Sequence, residues 1–182
     1  MASRVMQPYP HHLAKSIRLA DGTHVALRPI RAADARMEQQ FVRGLSDEAR
    51  YFRFMDMLRE LSPQMLKQMT DIDYDEQMAF VAVTGPGDKE TQIAVARYVA
   101  FDDGENCEFA IVVGDGWQRK GIATALMHML IDAARRRGLR KMTGEVLSSN
   151  SKMLHFVERL GFYAAMDPQD PKQMRVTLDL NS

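Results

Sequence analysis

The chain has 182 residues, which suits one domain with a single hydrophobic core. Its 24 basic and 24 acidic side chains cancel, so no net field of the molecule would attract nucleic acid or an anionic membrane. The single cysteine, Cys107, excludes an intrachain disulfide and a cysteine-rich zinc site, and no apolar run approaches the ~20 residues that span a bilayer.

The chain opens with a polar segment that contains prolines, and we assign residues 1–17 to an N-terminal arm. Met1–Pro10 has no apolar stretch like that of a signal peptide, so we expect a cytoplasmic protein. Residues 18–182 contain no internal repeat and no convincing boundary, and they are therefore assigned to one folded domain.

The first half of this domain is predicted to contain one strand and three helices. His24–Ile30 is an apolar run that predicts a strand. A helix is expected from about Ala33, because apolar residues recur after it at a spacing of four. Ser46 is a typical N-cap for a second, short helix, and Ser62 precedes an N1 proline that predicts a third helix over Pro63–Met69.

The second half of the domain alternates between strands and helices. Short apolar runs separated by turn residues predict antiparallel strands over Met78–Val83, Gln92–Phe101 and Cys107–Val113. Gln118–Arg137 has the longest helical pattern, and Gly138 ends it. A strand, a helix and a last strand are then predicted over Leu139–Leu147, Asn150–Leu160 and Gln173–Leu180. This order predicts the α/β class, with a mixed, mostly antiparallel sheet flanked by helices.

The segment from Ile111 to Leu126 joins a strand to the longest helix through a loop that contains glycines. This helix is predicted to begin at Arg119 or Lys120, which places Gly121 in its first turn. Backbone N–H groups in a first turn lack partners within the helix and carry a partial positive charge, so they form a site for an anion such as a diphosphate. Gly121 would allow a close backbone approach, although a glycine that only eases packing is the alternative.

Gln118–Ala123 resembles the Q/R-x-x-G-x-G/A signature of the GNAT superfamily of N-acetyltransferases. The resemblance implies a single-domain GNAT fold over residues 18–182 and a backbone cradle for the pyrophosphate of acetyl-CoA. It also implies that the preceding strand end pairs with the pantetheine arm and that Asn150 contacts the cofactor or substrate near the thioester. No metal site is expected. The expected coenzyme-binding residues are Ile111, Val112, Val113, Gln118, Arg119, Lys120, Gly121, Ile122, Ala123, Thr124 and Asn150.

Further segments are similar to one branch of this superfamily, the bacterial protein lysine acetyltransferases. These segments are Leu27–Arg31, Leu45–Ser46, Arg50–Phe54 and Cys107–Ala110. The similarity implies a protein lysine as the acceptor of the acetyl group. A small-molecule amine or amino acid is the alternative acceptor, and a non-catalytic acetyl-CoA sensor is the alternative from another functional class. An exposed strand edge or helix face could support a homodimer, although no residue pattern demands one.

Glu108 is the candidate general base, because it lies on a predicted strand among apolar residues that should raise its pKa. Related protein acetyltransferases carry their base at the matching strand position; a strand-end carboxylate in a salt bridge is the alternative. Many superfamily members place a tyrosine, which protonates the leaving thiolate, at the position of Val157. His155 is close in sequence, but helical spacing does not require it to face the site. Arg53 is expected to make a structural ion pair.

Overall fold

The computed structural model describes residues 5–182, and its eight strands form one sheet. The strands are β1 (Lys15–Arg18), β2 (His24–Pro29), β3 (Gln77–Thr84), β4 (Thr91–Ala100), β5 (Asn106–Val113), β6 (Lys141–Leu147), β7 (Tyr163–Asp167) and β8 (Asp170–Asp179). Their order across the sheet is β1-β2-β3-β4-β5-β6-β8-β7. All neighbouring strands are antiparallel except β5 and β6, which are parallel. The predicted mixed, mostly antiparallel sheet is therefore confirmed.

The described residues form five α-helices, and the caps predicted for three of these helices are present. They are α1 (Ala35–Gly44), α2 (Asp47–Phe54), α3 (Pro63–Thr70), α4 (Ile122–Arg137) and α5 (Ser151–Arg159). Ser46 Oγ accepts a hydrogen bond from the backbone N–H of Ala49, and Ser62 Oγ accepts one from that of Met65. At the end of α4, Gly138 adopts a left-handed conformation with φ of 85°, and its N–H donates to carbonyls of the last turn.

The two faces of the sheet carry separate hydrophobic layers. On one face α4 packs across the middle strands, where its Leu126 is fully buried. On the other face Val42 of α1 packs in a cluster with Val81 of β3. Full burial of one such side chain contributes about 1.5–3 kcal/mol. Because side chains alternate along a strand, Phe109 of β5 belongs to the first layer and Val112 of the same strand belongs to the second.

The long helix α4 begins at Ile122 and not at Arg119 or Lys120, so its predicted start was wrong. Gly121 is the residue before the helix, with φ of 86° and ψ of 0°, and Arg119 has φ of 62°. Residues in the left-handed region cannot continue a right-handed helix, so the helix begins only after the second of them. Gly121 therefore allows the left-handed backbone conformation of the turn before α4, and it does not lie inside the first turn of the helix.

Two strands are absent from the sequence-based prediction, and both lie at an edge of the sheet. β1 is mostly exposed, and its residues 15–17 fall within the segment assigned to the N-terminal arm. β7 is exposed over four of its five residues. An edge strand with solvated faces lacks the apolar alternation that identifies a half-buried strand.

Residues 1–4 of the Met1–Pro10 segment, in which no signal peptide is predicted, lie outside the described residues. Over residues 5–182, no helix combines the length and the apolar character that crossing a bilayer requires.

Candidate active site

The sheet opens into a fork between its two parallel strands, β5 and β6. Their pairing ends at the pair that joins Glu108 to Thr143. Beyond that point β5 pairs only with β4, and β6 pairs only with β8. Among the strands of residues 5–182, the backbone edge of β5 from Phe109 to Val113 therefore has no partner on the β6 side. Glu108 lies at the vertex of the fork.

An aromatic ring occupies the space where the two strands separate. A Cβ atom at Gly144 of β6 would lie 2.5 Å from Cε1 of Phe109, so a glycine is needed to leave room for this ring. Phe109 is buried, and its ring centroid lies 5.0 Å from that of Phe162. The ring of Phe109 therefore covers Gly144 and packs against Phe162 in the hydrophobic layer of this face.

A cleft of about 990 Å³ follows the fork to the start of α4. Its volume is in the range of sites that bind a cofactor-sized ligand. It brings together predicted site residues from β5, from the turn before α4 and from the start of α5. Those that line it are Glu108, Ile111, Val112, Val113, Gln118, Arg119, Gly121, Ile122, Ala123, Thr124 and Asn150. Lys120 was also predicted, but it does not line the cleft.

The turn before α4 leaves a run of backbone N–H groups without acceptors. Within the described part of the chain, the amides of residues 119–124 donate no hydrogen bond, whereas Ala125 donates to the carbonyl of Gly121 at 3.1 Å. No side chain caps the helix at this end. A Cβ atom at Gly121 would meet no atom within 4 Å, so the space beside the turn is open. Free amides, an uncapped helix start and open space are together the features that suit an anion.

The residues of the cleft differ in the atoms that they can offer to a ligand. Ile111 and Ile122 have buried side chains that belong to the hydrophobic core, so only their backbone atoms are available. Asn150 caps α5 through Oδ1, which accepts a hydrogen bond from the N–H of Met153 at 3.3 Å. The Nδ2 group of Asn150 has no partner among the residues described and is free to donate to a ligand.

Glu108 has the raised pKa expected of a general base. Its side chain is exposed as a whole, but partial burial of the carboxyl group raises the pKa, and the negative charge of Glu145 raises it further. The positive charges of Arg175 and Arg53 oppose this shift in pKa. The Glu108 side chain makes no ion pair with any described residue, which disfavours the alternative of a salt-bridged carboxylate.

Glu145 is a second carboxylate of the site, and the sequence analysis missed it. It lies on β6, two residues after the Thr143 that pairs with Glu108. Its Oε1 accepts hydrogen bonds from Nε and Nη2 of Arg175, at 3.1 and 2.9 Å. Its Oε2 is buried and has no hydrogen-bond partner in the described structure. Glu145 is one of the polar residues that alternate with buried ones along β6, so its local sequence gave no signal, and only the parallel register with β5 brings it near Glu108.

Arg53 does not make the structural ion pair expected from the sequence. Arg28 and Arg50 do make such pairs. Arg53 has neither an ion pair nor a side-chain hydrogen bond with the residues that are described. Its guanidinium carbon lies 4.7 Å from the ring centroid of Phe54, and the side chain lines the cleft. Burial lowers the pKa of Arg53 to about 10, and the charge of Arg97 lowers it as well.

The helix α5 adds a basic face to the cleft. Lys152, His155 and Arg159 are exposed and line it, so His155 does face the site although helical spacing alone did not require this. Val157, at the position where many superfamily members carry a tyrosine, is an aliphatic core residue and has no proton to supply.

The chain is similar to proteins of one enzyme family. The model of the acetyltransferase (GNAT) family matches residues 42–162. An acetyltransferase of Pseudomonas aeruginosa is 39% identical over 156 residues, which are 86% of this chain and 84% of the relative. The acetyltransferase Pat of Mycolicibacterium smegmatis is 31% identical over 148 residues, which are 80% of this chain but 43% of that longer protein. The crystal structure of the GNAT domain of S. lividans PAT has a TM-score of 0.84 at 29% identity, and the match covers 94% of this chain and 99% of that domain.

Proposed function

This chain belongs to the GNAT family of acetyltransferases, and we propose that it transfers the acetyl group of acetyl-CoA to the side-chain amine of a protein lysine. Glu108 is the proposed general base, and the turn before α4 is the proposed coenzyme site. One observation carries the proposal: Glu108 at the vertex of the fork and the free amides of the turn line the same cleft.

The residues of the cleft fit the parts of acetyl-CoA. The free N–H groups of Arg119 and of residues 121–124, which line the cleft, and the charge of Arg119 suit the pyrophosphate. The unpaired edge of β5 suits the amides of the pantetheine arm, which can add to a sheet edge as a short strand does. When bound, the cosubstrate supplies the activated acetyl group as a thioester.

The protein's own chemical task is to provide the acceptor amine in its neutral form. A free lysine amine has a pKa of about 10.4, so at neutral pH most of it is protonated and cannot attack a thioester. Glu108 can accept that proton, directly or through water, and its raised pKa suits this role. The absence of an acid at Val157 is tolerable, because a thiol with a pKa of about 8.5 leaves readily as the thiolate.

A protein lysine is the first choice of acceptor because the chain resembles the bacterial protein lysine acetyltransferases and is similar to Pat proteins over most of its length. A small-molecule amine or amino acid is the second candidate. The carboxylate of Glu108 would attract the cationic amine of either acceptor.

Two measurements test the proposal in sequence. Calorimetric titration with acetyl-CoA should reveal binding, and a screen of proteins, lysine peptides, amino acids and polyamines should reveal turnover. If only small amines were acetylated, the acceptor would be a small-molecule amine or amino acid and not a protein lysine. Binding without turnover of any acceptor would favour a non-catalytic acetyl-CoA sensor, and a lack of binding would contradict the proposal.

A separate prediction concerns the 3′-phosphate of coenzyme A. Lys152, His155 and Arg159 lie on α5, line the cleft and make no ion pair with the described residues. The double variant Lys152→Met, Arg159→Met is expected to bind acetyl-CoA about tenfold more weakly, because it loses two charges that can contact this phosphate. Its binding of acetyl-dephospho-CoA, which lacks the 3′-phosphate, should stay unchanged. Titration with both ligands measures the difference.

The matched control for this prediction is Arg136→Met. Arg136 is an exposed cation near the C-terminal end of α4 and does not line the cleft, so its replacement should affect neither ligand. Equal weakening of both ligands by the double variant would show that Lys152 and Arg159 do not contact the 3′-phosphate.

A further inference from the structure

The cleft near Glu108 contains a cation that no carboxylate of residues 5–182 neutralises by direct contact. Arg53, close to the end of α2, is partly buried and lines the cleft. Its guanidinium packs over the ring of Phe54, and no carboxylate of the described residues lies within ion-pair distance. Arg53 is nevertheless close enough to Glu108 for the two charges to influence each other.

The charges behind Arg53 explain why it has no partner. The buried carboxylate of Glu38 lies 3.7 Å from Nη2 of Arg97 and accepts a hydrogen bond of 2.7 Å from Nε2 of Gln92. Arg97 therefore already uses this carboxylate, and its own positive charge repels Arg53. A guanidinium that lines a cleft and has no ion-pair partner among the described residues can pair with an anion that arrives with a ligand.

We propose that Arg53 binds a carboxylate of the acceptor, so that this protein prefers acceptors with an acidic group close to the amine. The inference rests on the proposed function, because it assigns a second contact to the same acceptor. In a protein the carboxylate belongs to an aspartate or glutamate next to the acetylated lysine. In a small molecule it is the carboxylate of an amino acid.

Charge complementarity between the cleft and such an acceptor supports the proposal. The protonated amine of the acceptor is attracted to Glu108, while its carboxylate is attracted to Arg53. A guanidinium suits a carboxylate because its parallel N–H groups can donate two hydrogen bonds to it. A polyamine would instead place a second cation beside Arg53, so polyamines should be poor acceptors.

The test compares two lysine peptides that differ only in a residue next to the lysine, glutamate in one and glutamine in the other. The wild type should acetylate the glutamate peptide with a kcat/KM about tenfold higher, mainly through KM. Arg53→Gln should bring this ratio close to one. Arg53→Lys keeps the charge but loses the paired N–H groups, so its ratio should be intermediate. Free lysine and lysinamide test the case of a small molecule, because lysinamide has an amide in place of the carboxylate. The wild type should prefer free lysine, and Arg53→Gln should lose this preference.

The matched control is Arg59→Gln, which removes an exposed arginine of the segment after α2 that does not line the cleft. This variant should keep the wild-type ratio. Titration with acetyl-CoA checks that each variant is folded and keeps its coenzyme site. Turnover without a preference in the wild type, or a preference that Arg53→Gln leaves intact, would overturn this inference alone. A wild type that acetylates no acceptor would overturn the proposed function as well.

Discussion

Replacement of Glu108 by glutamine is expected to lower kcat by about 10²–10⁴-fold and to leave acetyl-CoA binding near the wild-type value. Glutamine keeps the size of the side chain, but its amide cannot take the proton of the acceptor amine. Coenzyme binding should persist, because the free amides proposed to hold the pyrophosphate belong to residues 119–124. Steady-state kinetics at saturating acceptor and calorimetric titration with acetyl-CoA measure the two quantities.

The direction in which the activity of the wild type changes with pH tests the same role of Glu108. A general base works in its deprotonated form, so activity should fall as the pH drops below the pKa of Glu108. Partial burial and the charge of Glu145 raise this pKa above the ordinary value for glutamate. The fall should therefore begin at a higher pH than it would for a fully solvated glutamate.

Glu145→Gln is the matched control, because it changes the other carboxylate near the fork in the same way. Glu145 is bound by Arg175 and is therefore less suited to accept a proton. Loss of its negative charge should lower the pKa of Glu108 and shift the acid limb to lower pH, with a much smaller loss of turnover. If Glu145→Gln lost most of its turnover while Glu108→Gln stayed active, the general base would be Glu145 and not Glu108.

Local patterns in the sequence were enough to locate the turn before α4 and the candidate base. The spacing within Gln118–Ala123 and the alternation along β5 involve neighbouring residues only, and the structure brings both segments to one cleft. The predicted start of α4 was wrong because Arg119 adopts a positive φ. Arginine does not favour this conformation, and the neighbouring residues give no signal for it.

Features that depend on pairing between distant segments could not be predicted in this way. The fork depends on where the pairing of β5 with β6 ends, and the contact of Phe109 with Gly144 joins residues that are far apart in the sequence. Glu145 and Arg53 have ordinary neighbours in the sequence. Only the register of β6 and the position of α2 against β5 bring them close to Glu108.

Gly121→Val is expected to weaken acetyl-CoA binding by about 10²-fold or more. Valine would have to adopt φ near 86°, which is strained for a β-branched residue, and its methyl groups would fill the open space beside the turn. The pyrophosphate would then lose hydrogen bonds to the free amides. Two charge-assisted hydrogen bonds at about 1.5 kcal/mol each correspond to a loss of about 10²-fold in affinity. Calorimetric titration measures this loss.

Gly138→Val is the control that separates the two effects of Gly121→Val, the strain in the backbone and the loss of contacts with the ligand. Gly138 lies at the other end of the same helix with φ of 85°, and a Cβ atom there would likewise meet no atom within 4 Å. Both variants should therefore lose a similar stability, about 1–2 kcal/mol, in urea unfolding without ligand. Only Gly121→Val should lose affinity for acetyl-CoA. If both variants bound it as tightly as the wild type, the turn before α4 would not hold the pyrophosphate, and the free amides there would need another explanation.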